Sequence, residues 1–166
     1  MVISSDILLK GKIWRNTVSA LSNIFKTRTN YSIFVICSTI GIMYDKQIES
    51  FEENSEDPIY VPRNVISQYG DELDFIFQTA ILTTELIDLN EEKRLELAFG
   101  EENKEEFDKV KFLIKYANFG ITKLSEKIGI DELETIENIK IFLVSTVEGS
   151  NFEIDSIEDA IEEIDF

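Results

Sequence analysis

The sequence predicts a mainly α-helical fold, a compact single-domain bundle of about six helices, and three observations carry that prediction. Seven apolar residues, Phe107, Val110, Ile114, Ala117, Ile121, Leu124 and Ile128, recur at alternating steps of three and four, which places them on one stripe of a helix. Prolines number only two, Pro58 and Pro62, so one short stretch alone is barred from a helix interior. A 166-residue chain that is 43% hydrophobic is long and apolar enough to bury a core without metal or disulfide support.

From the N-terminus, Trp14, Val18, Leu21 and Phe25 step by four, three and four, an amphipathic helix whose other faces hold Arg15 and Lys26. Asn30 is placed to cap the next helix. Tyr31 to Tyr44 is β-branched and aromatic enough for a strand, but it is long for one and apolar on both sides, so a buried helix is expected. The acidic stretch Glu49 to Asp57 leads into Ile59-Tyr60-Val61, which the two prolines bracket as a short extended segment that cannot sit in mid-sheet.

A helix is expected from Asp71, as its cap, to Ile87, with Leu73, Ile76, Phe77, Ala80, Ile81 and Thr84 at helical spacing. A shorter helix follows Asn90 and stops at Gly100. The 107 to 128 helix is the expected spine, since Phe112, Tyr116 and Phe119 lie off its stripe and call for packing on a second side. Gly129 should end it. Gly120, costly inside a helix, marks a close approach of another backbone. Ile139 to Val147 suits a strand or a helix, but Asp131 and Glu134 form a capping box, so a helix beginning near Glu132 and running through that apolar run is favoured. Residues 1–147 are thus read as the helical domain and 148–166 as an acidic tail or short helix, capped by Ser156 with Ile157, Ala160, Ile161 and Ile164 on one face.

Charge is unevenly spread. Residues 1 to 46 carry six Lys/Arg against two acids, and residues 47 to 166 carry ten against thirty-one, so +4 and −21 make the net −17. Such polarity points to charged partners and says little about fold. The lone Cys37 sits in an apolar run and reads as a small buried hydrophobe, so an oxidising compartment is neither required nor suggested. Met1 to Lys12 lacks the apolar core of a secretory signal, and Ile33 to Met43 is too short to span a bilayer, so a cytoplasmic protein with no membrane association is expected.

Without histidine, Ser-His-Asp and Cys-His catalysis and the usual zinc ligand sets are out of reach. Neither Gly-rich phosphate loop occurs, nor EF-hand spacing. Carboxylate clusters such as Asp71-Glu72-x-Asp74, Glu101-Glu102 and Glu91-Glu92-Lys93-Arg94 read as solvated faces rather than as a magnesium site of a nuclease. No catalytic residue, metal or cofactor is therefore expected.

The basic group Lys10, Lys12, Arg15, Lys26 and Arg28 could touch phosphates, with Trp14 and Tyr31 among these positions as aromatics are in nucleic-acid sites. The negative charge elsewhere repels a polyanion, so a polar helix face or an acidic protein partner is favoured over direct DNA or RNA contact. The acidic end, with Glu158, Asp159, Glu162 and Glu163, admits a solvated tail, a helix docking on a basic protein, or a DNA mimic.

The run Phe34-Val35-Ile36-Cys37-Ser38-Thr39-Ile40-Gly41-Ile42-Met43-Tyr44-Asp45-Lys46, then Pro58-Ile59-Tyr60-Val61, the Asp71 to Glu85 helix and Tyr116-Ala117-Asn118-Phe119-Gly120 come in a telling order. In that order the chain resembles the small Dnd system-associated proteins encoded beside bacterial DNA phosphorothioation genes, over about residues 15 to 130. It departs from their pattern after Gly41, where a more basic turn is the rule, and in its acidic end. The resemblance implies an accessory subunit of a DNA-modification or similar anti-phage operon and implies no catalytic residues. Tyr116, Asn118 and Gly120 then read as a contact site, a glycine admitting a partner backbone and an amide pairing with it; the alternative is a solvent-facing Asn118 and a Gly120 used in internal packing. The expected function is a non-enzymatic adaptor held by larger protein subunits, the competing one an acidic DNA-mimic inhibitor.

Overall fold

The computed structural model describes residues 5–27, 29–51, 58–100 and 107–147. Within them lie seven helices and one two-stranded sheet: β1 (Ile7–Leu9), α1 (Lys12–Leu21), α2 (Thr29–Met43), β2 (Ile59–Val61), α3 (Arg63–Gln68), α4 (Gly70–Thr83), α5 (Glu91–Phe99), α6 (Lys109–Ser125) and α7 (Glu132–Val147). The mainly α expectation holds.

The centre is the pair α2 and α6. Both are apolar on more than one side, and each carries a glycine facing the other's backbone. A methyl on Gly120 would overlap the Cys37 carbonyl, and one on Gly41 would overlap that of Tyr116. Cys37 and Gly41 on one helix, Gly120 and Tyr116 on the other, are each one turn apart, so the helices run antiparallel with backbones in contact. The close approach expected at Gly120 is this one. Around it, α1 packs on α2 and α6, and α4 on α2 and α5. Trp14, Leu21, Ile33, Phe34, Leu73, Phe77 and Leu113 fill the core.

Ile59-Tyr60-Val61 is extended, as its flanking prolines require, and pairs on one side only. Its partner is Ile7–Leu9, antiparallel, with Ile7 opposite Val61 and Leu9 opposite Ile59. That N-terminal strand was not expected: three residues are too few to show alternation, and their partner lies far along the chain. Gly11, at φ 116, turns the chain from β1 into α1, a conformation that disfavours other residues.

Several boundaries differ from expectation. α1 ends at Leu21, and Phe25 follows in a turn whose N–H donates to the Leu21 carbonyl at 3.0 Å. Asn30 lies inside α2, not before it, and its amide donates to the Tyr60 carbonyl at 2.7 Å, tying α2 to the sheet. Asp71 is in the first turn of α4, not its cap, because α3, started after Pro62, leads into it through Tyr69. α4 stops at Thr83, before Ile87, since Thr84 is extended. α6 ends at Ser125, before Gly129, which has no positive φ. Bonds from Lys127 N–H to Leu124 and from Ile128 N–H to Ser125 tighten the chain there into three-residue turns. Asp131 does cap α7, accepting from Glu134 N–H at 2.9 Å, while the Glu134 carboxylate accepts from Ile130 N–H at 2.6 Å. Residues 148–166, with the Ser156 helix, lie outside the described residues, as do Glu101-Glu102 and residues 52–57 of the acidic stretch.

Candidate functional site

The Tyr-Ala-Asn-x-Gly segment falls in mid-α6, and its polar side chains are turned into the fold. Tyr116, Asn118 and Gly120 are all buried. Asn118 bridges three segments: its Oδ1 accepts from the Trp14 indole N–H at 2.9 Å, and its Nδ2 donates to the Ile48 carbonyl at 3.1 Å. The backbone that Gly120 admits is the chain's own Cys37.

Tyr116 ends a ladder of aromatic rings, Phe77, Phe107 and Phe112, the last with its centroid 5.1 Å away. Its hydroxyl lies 2.9 Å from Asp45 Oδ1 and 2.7 Å from Thr84 Oγ1. The Thr84 hydroxyl donates to the same carboxylate oxygen at 2.7 Å, and Glu85 N–H donates to Oδ2 at 2.7 Å. Asp45 reaches this position at φ 44, just beyond α2, a left-handed turn that aspartate tolerates better than most residues. Partial burial pushes its carboxyl up, but the bonds from Thr84, Glu85 N–H and Tyr116 and the nearby Arg94 charge outweigh that and hold it below the ordinary range. Burial first, and the Asp45 carboxylate with it, push Tyr116 up to about 12 against the opposing pull of Thr84. Burial alone pushes the Cys37 thiol well up, which suits an inert core residue.

Arg94 completes the neighbourhood from α5. Its guanidinium donates to the Ile81 carbonyl at 2.9 Å, in the last turn of α4 where helical partners run out, and to the Leu89 and Ile87 carbonyls at 3.2 and 3.2 Å, which holds the connection into α5. The reading of Glu91-Glu92-Lys93-Arg94 as a solvated first turn is thus corrected at Arg94, which points inward. Asn90 caps that turn, accepting from Lys93 N–H at 2.8 Å.

Of the basic group, Lys10, Lys12, Arg15 and Lys26 are exposed, and Arg28 lies outside the described residues. The aromatics read beside them are core: Trp14 is enclosed, and Tyr31 is buried with its hydroxyl donating to Glu72 at 2.9 Å. Neither ring can stack on a base. Glu158, Asp159, Glu162 and Glu163 lie outside the described residues.

Large apolar side chains stand on three outer faces instead. Phe75 (69% exposed) and Leu82 lie on α4, and Leu95 and Phe99 (63%) on α5. Ile130 (98%) and Leu133 (79%) lead into the outer side of α7, which continues with Ile136 and Val144; Leu8 and its cross-strand neighbour Tyr60 share one face of the sheet. The sequence reading did not single out these exposed positions. Their signal was α7's apolar content on both sides, with Leu133, Ile136 and Val144 opposite Ile139 and Phe142. Among the described residues, no three carboxylates or thiols converge as a metal site would need, and no helix is long and apolar enough to cross a membrane. No family model, curated protein or solved structure matches the chain.

Proposed function

We propose that this protein is a non-enzymatic accessory subunit that works by docking on larger proteins, in a bacterial DNA-modification or anti-phage complex. The observation that carries this reading is the set of large apolar side chains, Phe75, Phe99, Ile130 and Leu133 foremost, left on the outside of a chain with net charge −17. Scattered exposed apolar residues are ordinary, but grouped ones on a highly charged molecule mark contact surfaces. The polar groups of Asp45, Thr84, Tyr116, Asn118 and Arg94 bond to one another and to backbone, a use that fits holding the fold. The large apolar side chains exposed on α4, α5 and α7 favour a docking subunit over a DNA mimic. The defence setting rests on the resemblance in the order of the α2, β2, α4 and α6 segments.

Co-purification of the tagged full chain from its native host, with size exclusion and mass spectrometry, tests the proposal. The expected result is a stoichiometric complex with a larger DNA-modification or defence protein. A chain that elutes alone and monodisperse at physiological salt overturns it, as does turnover of DNA by the isolated protein that disappears when one carboxylate is neutralised.

A further inference from the structure

The α4–α5 hairpin carries a strong excess of negative charge. Between Gly70 and Gly100 the chain has eight carboxylates and only two cations, Lys93 and Arg94. Arg94 is turned inward onto three carbonyls, and Lys93 lies 3.2 Å from Glu96. Arg94 is thereby withdrawn from the surface, and Lys93, its side chain 32% exposed, is paired there. Interleaved with the carboxylates are Phe75 and Leu82, seven positions apart on the side of α4 opposite buried Phe77 and Ala80. Leu95 and Phe99, four apart, lie on the side of α5 opposite buried Leu97. Leu86, also exposed, stands in the connection between them. The outer face of α7, by contrast, has Lys140 among its apolar residues.

We infer that the outer side of the α4–α5 hairpin is the docking surface for a basic amphipathic helix of a partner protein, its apolar stripe seated on Phe75, Leu82, Leu95 and Phe99 and flanked by lysines or arginines. The inference rests on the docking reading above and names the surface and the chemistry of what it takes. Charge complementarity selects the occupant. Nucleic acid and anionic membrane are repelled by this face, and a second copy brings a net charge of −17 against it. A basic rim complements the excess of carboxylates on the hairpin, and an apolar stripe covers the rings. α4 has 14 residues, about 21 Å at 1.5 Å per residue, which matches a helix of about four turns.

The test uses a fluorescein-labelled peptide of about 18 residues with leucines at helical spacing and lysines elsewhere, titrated by anisotropy with the full chain. A scrambled peptide of the same composition serves as the charge control. Binding should be saturable, at least about tenfold tighter than for the scramble, and weakened at least about tenfold by Phe75→Ser with Phe99→Ser. Leu133→Ser with Ile136→Ser, on α7, should leave it unchanged. Hydrogen exchange on the unaltered protein provides a readout that needs no variant: added peptide should protect amides of α4 and α5. Equal affinity for the scramble, retention by the hairpin variant, or protection confined to other elements overturns the inference. In the native host the two readings separate: a partner kept by both the unaltered chain and the hairpin variant removes this surface and leaves the docking reading standing, whereas no partner with either removes the docking reading.

Discussion

The Tyr116 hydroxyl must stay protonated to sit beside Asp45, and its titration therefore enters the stability of the fold. Its pKa rises from 10.0 to about 12 on folding, so its contribution is complete below pH 10 and is lost as pH rises through about 12. Asp45 works in the opposite sense. Its folded pKa lies below 3.8, so its contribution is present above that value and is lost as pH falls through the folded one. Tyr116→Phe should cost about 1 kcal/mol near neutral pH, one hydrogen bond to a charged network with partners that keep other bonds. By pH about 12 the unaltered protein has lost the same interaction, so the gap in urea midpoint between the two should narrow. A gap independent of pH counts against the Tyr116–Asp45 pairing. Little of this network was legible in the sequence. Tyr116 and Asn118 stood out by their setting, but Asp45 is one aspartate after an apolar helix and Thr84 one more residue at helical spacing, and nothing local says that they meet.

Helices were far more legible than the ends of helices. The 3-4 stripe from Val110 to Leu124 placed α6, and the apolar length of Tyr31 to Tyr44 placed α2, because periodicity and length are local properties of the chain. The end of α6 was misplaced because the three-residue turns after Ser125 keep Ile128 against the core, so the apolar spacing continues where the helix does not. Gly120 was readable as a close approach, but that the approaching backbone belongs to α2 was not. The crossing yields a sharp contrast. Gly120→Ala forces a methyl onto a carbonyl held in a neighbouring helix and should cost about 3 kcal/mol or more, the upper part of the range for overpacked cores. At Gly129 the nearest atoms to an added methyl belong to the Glu134 side chain, at 2.6 Å; swinging it away gives up only its bond from Ile130 N–H, so Gly129→Ala should cost about 1 kcal/mol, well below Gly120→Ala. Emission of Trp14, the only tryptophan and fully buried, reports both unfolding curves. Equal costs at the two glycines would mean that α2 and α6 do not touch through their backbones.

Across the molecule, 33 carboxylates against 16 cations make self-repulsion a standing cost of the compact state. Salt screens that repulsion, and the described ion pairs that salt would weaken, such as Lys123 with Glu126, are partly exposed and contribute little. Raising sodium chloride from about 50 mM to about 500 mM should therefore stabilise the protein by about 1 kcal/mol, seen as a rise of about 2–4 °C in melting temperature. A fall would mean that attractive pairs outweigh the net charge. The mutual seating of α2 and α6 has a further consequence, one of cooperativity. With no side chain between the two backbones at Cys37 and Gly120, neither helix can yield a little: they part fully or not at all. α7, held chiefly by Thr135, Ile139 and Phe142, can fray without disturbing them. The last amides to surrender their hydrogens to solvent are then those at the centres of α2 and α6, two stretches made on opposite sides of half the chain that let go in a single event.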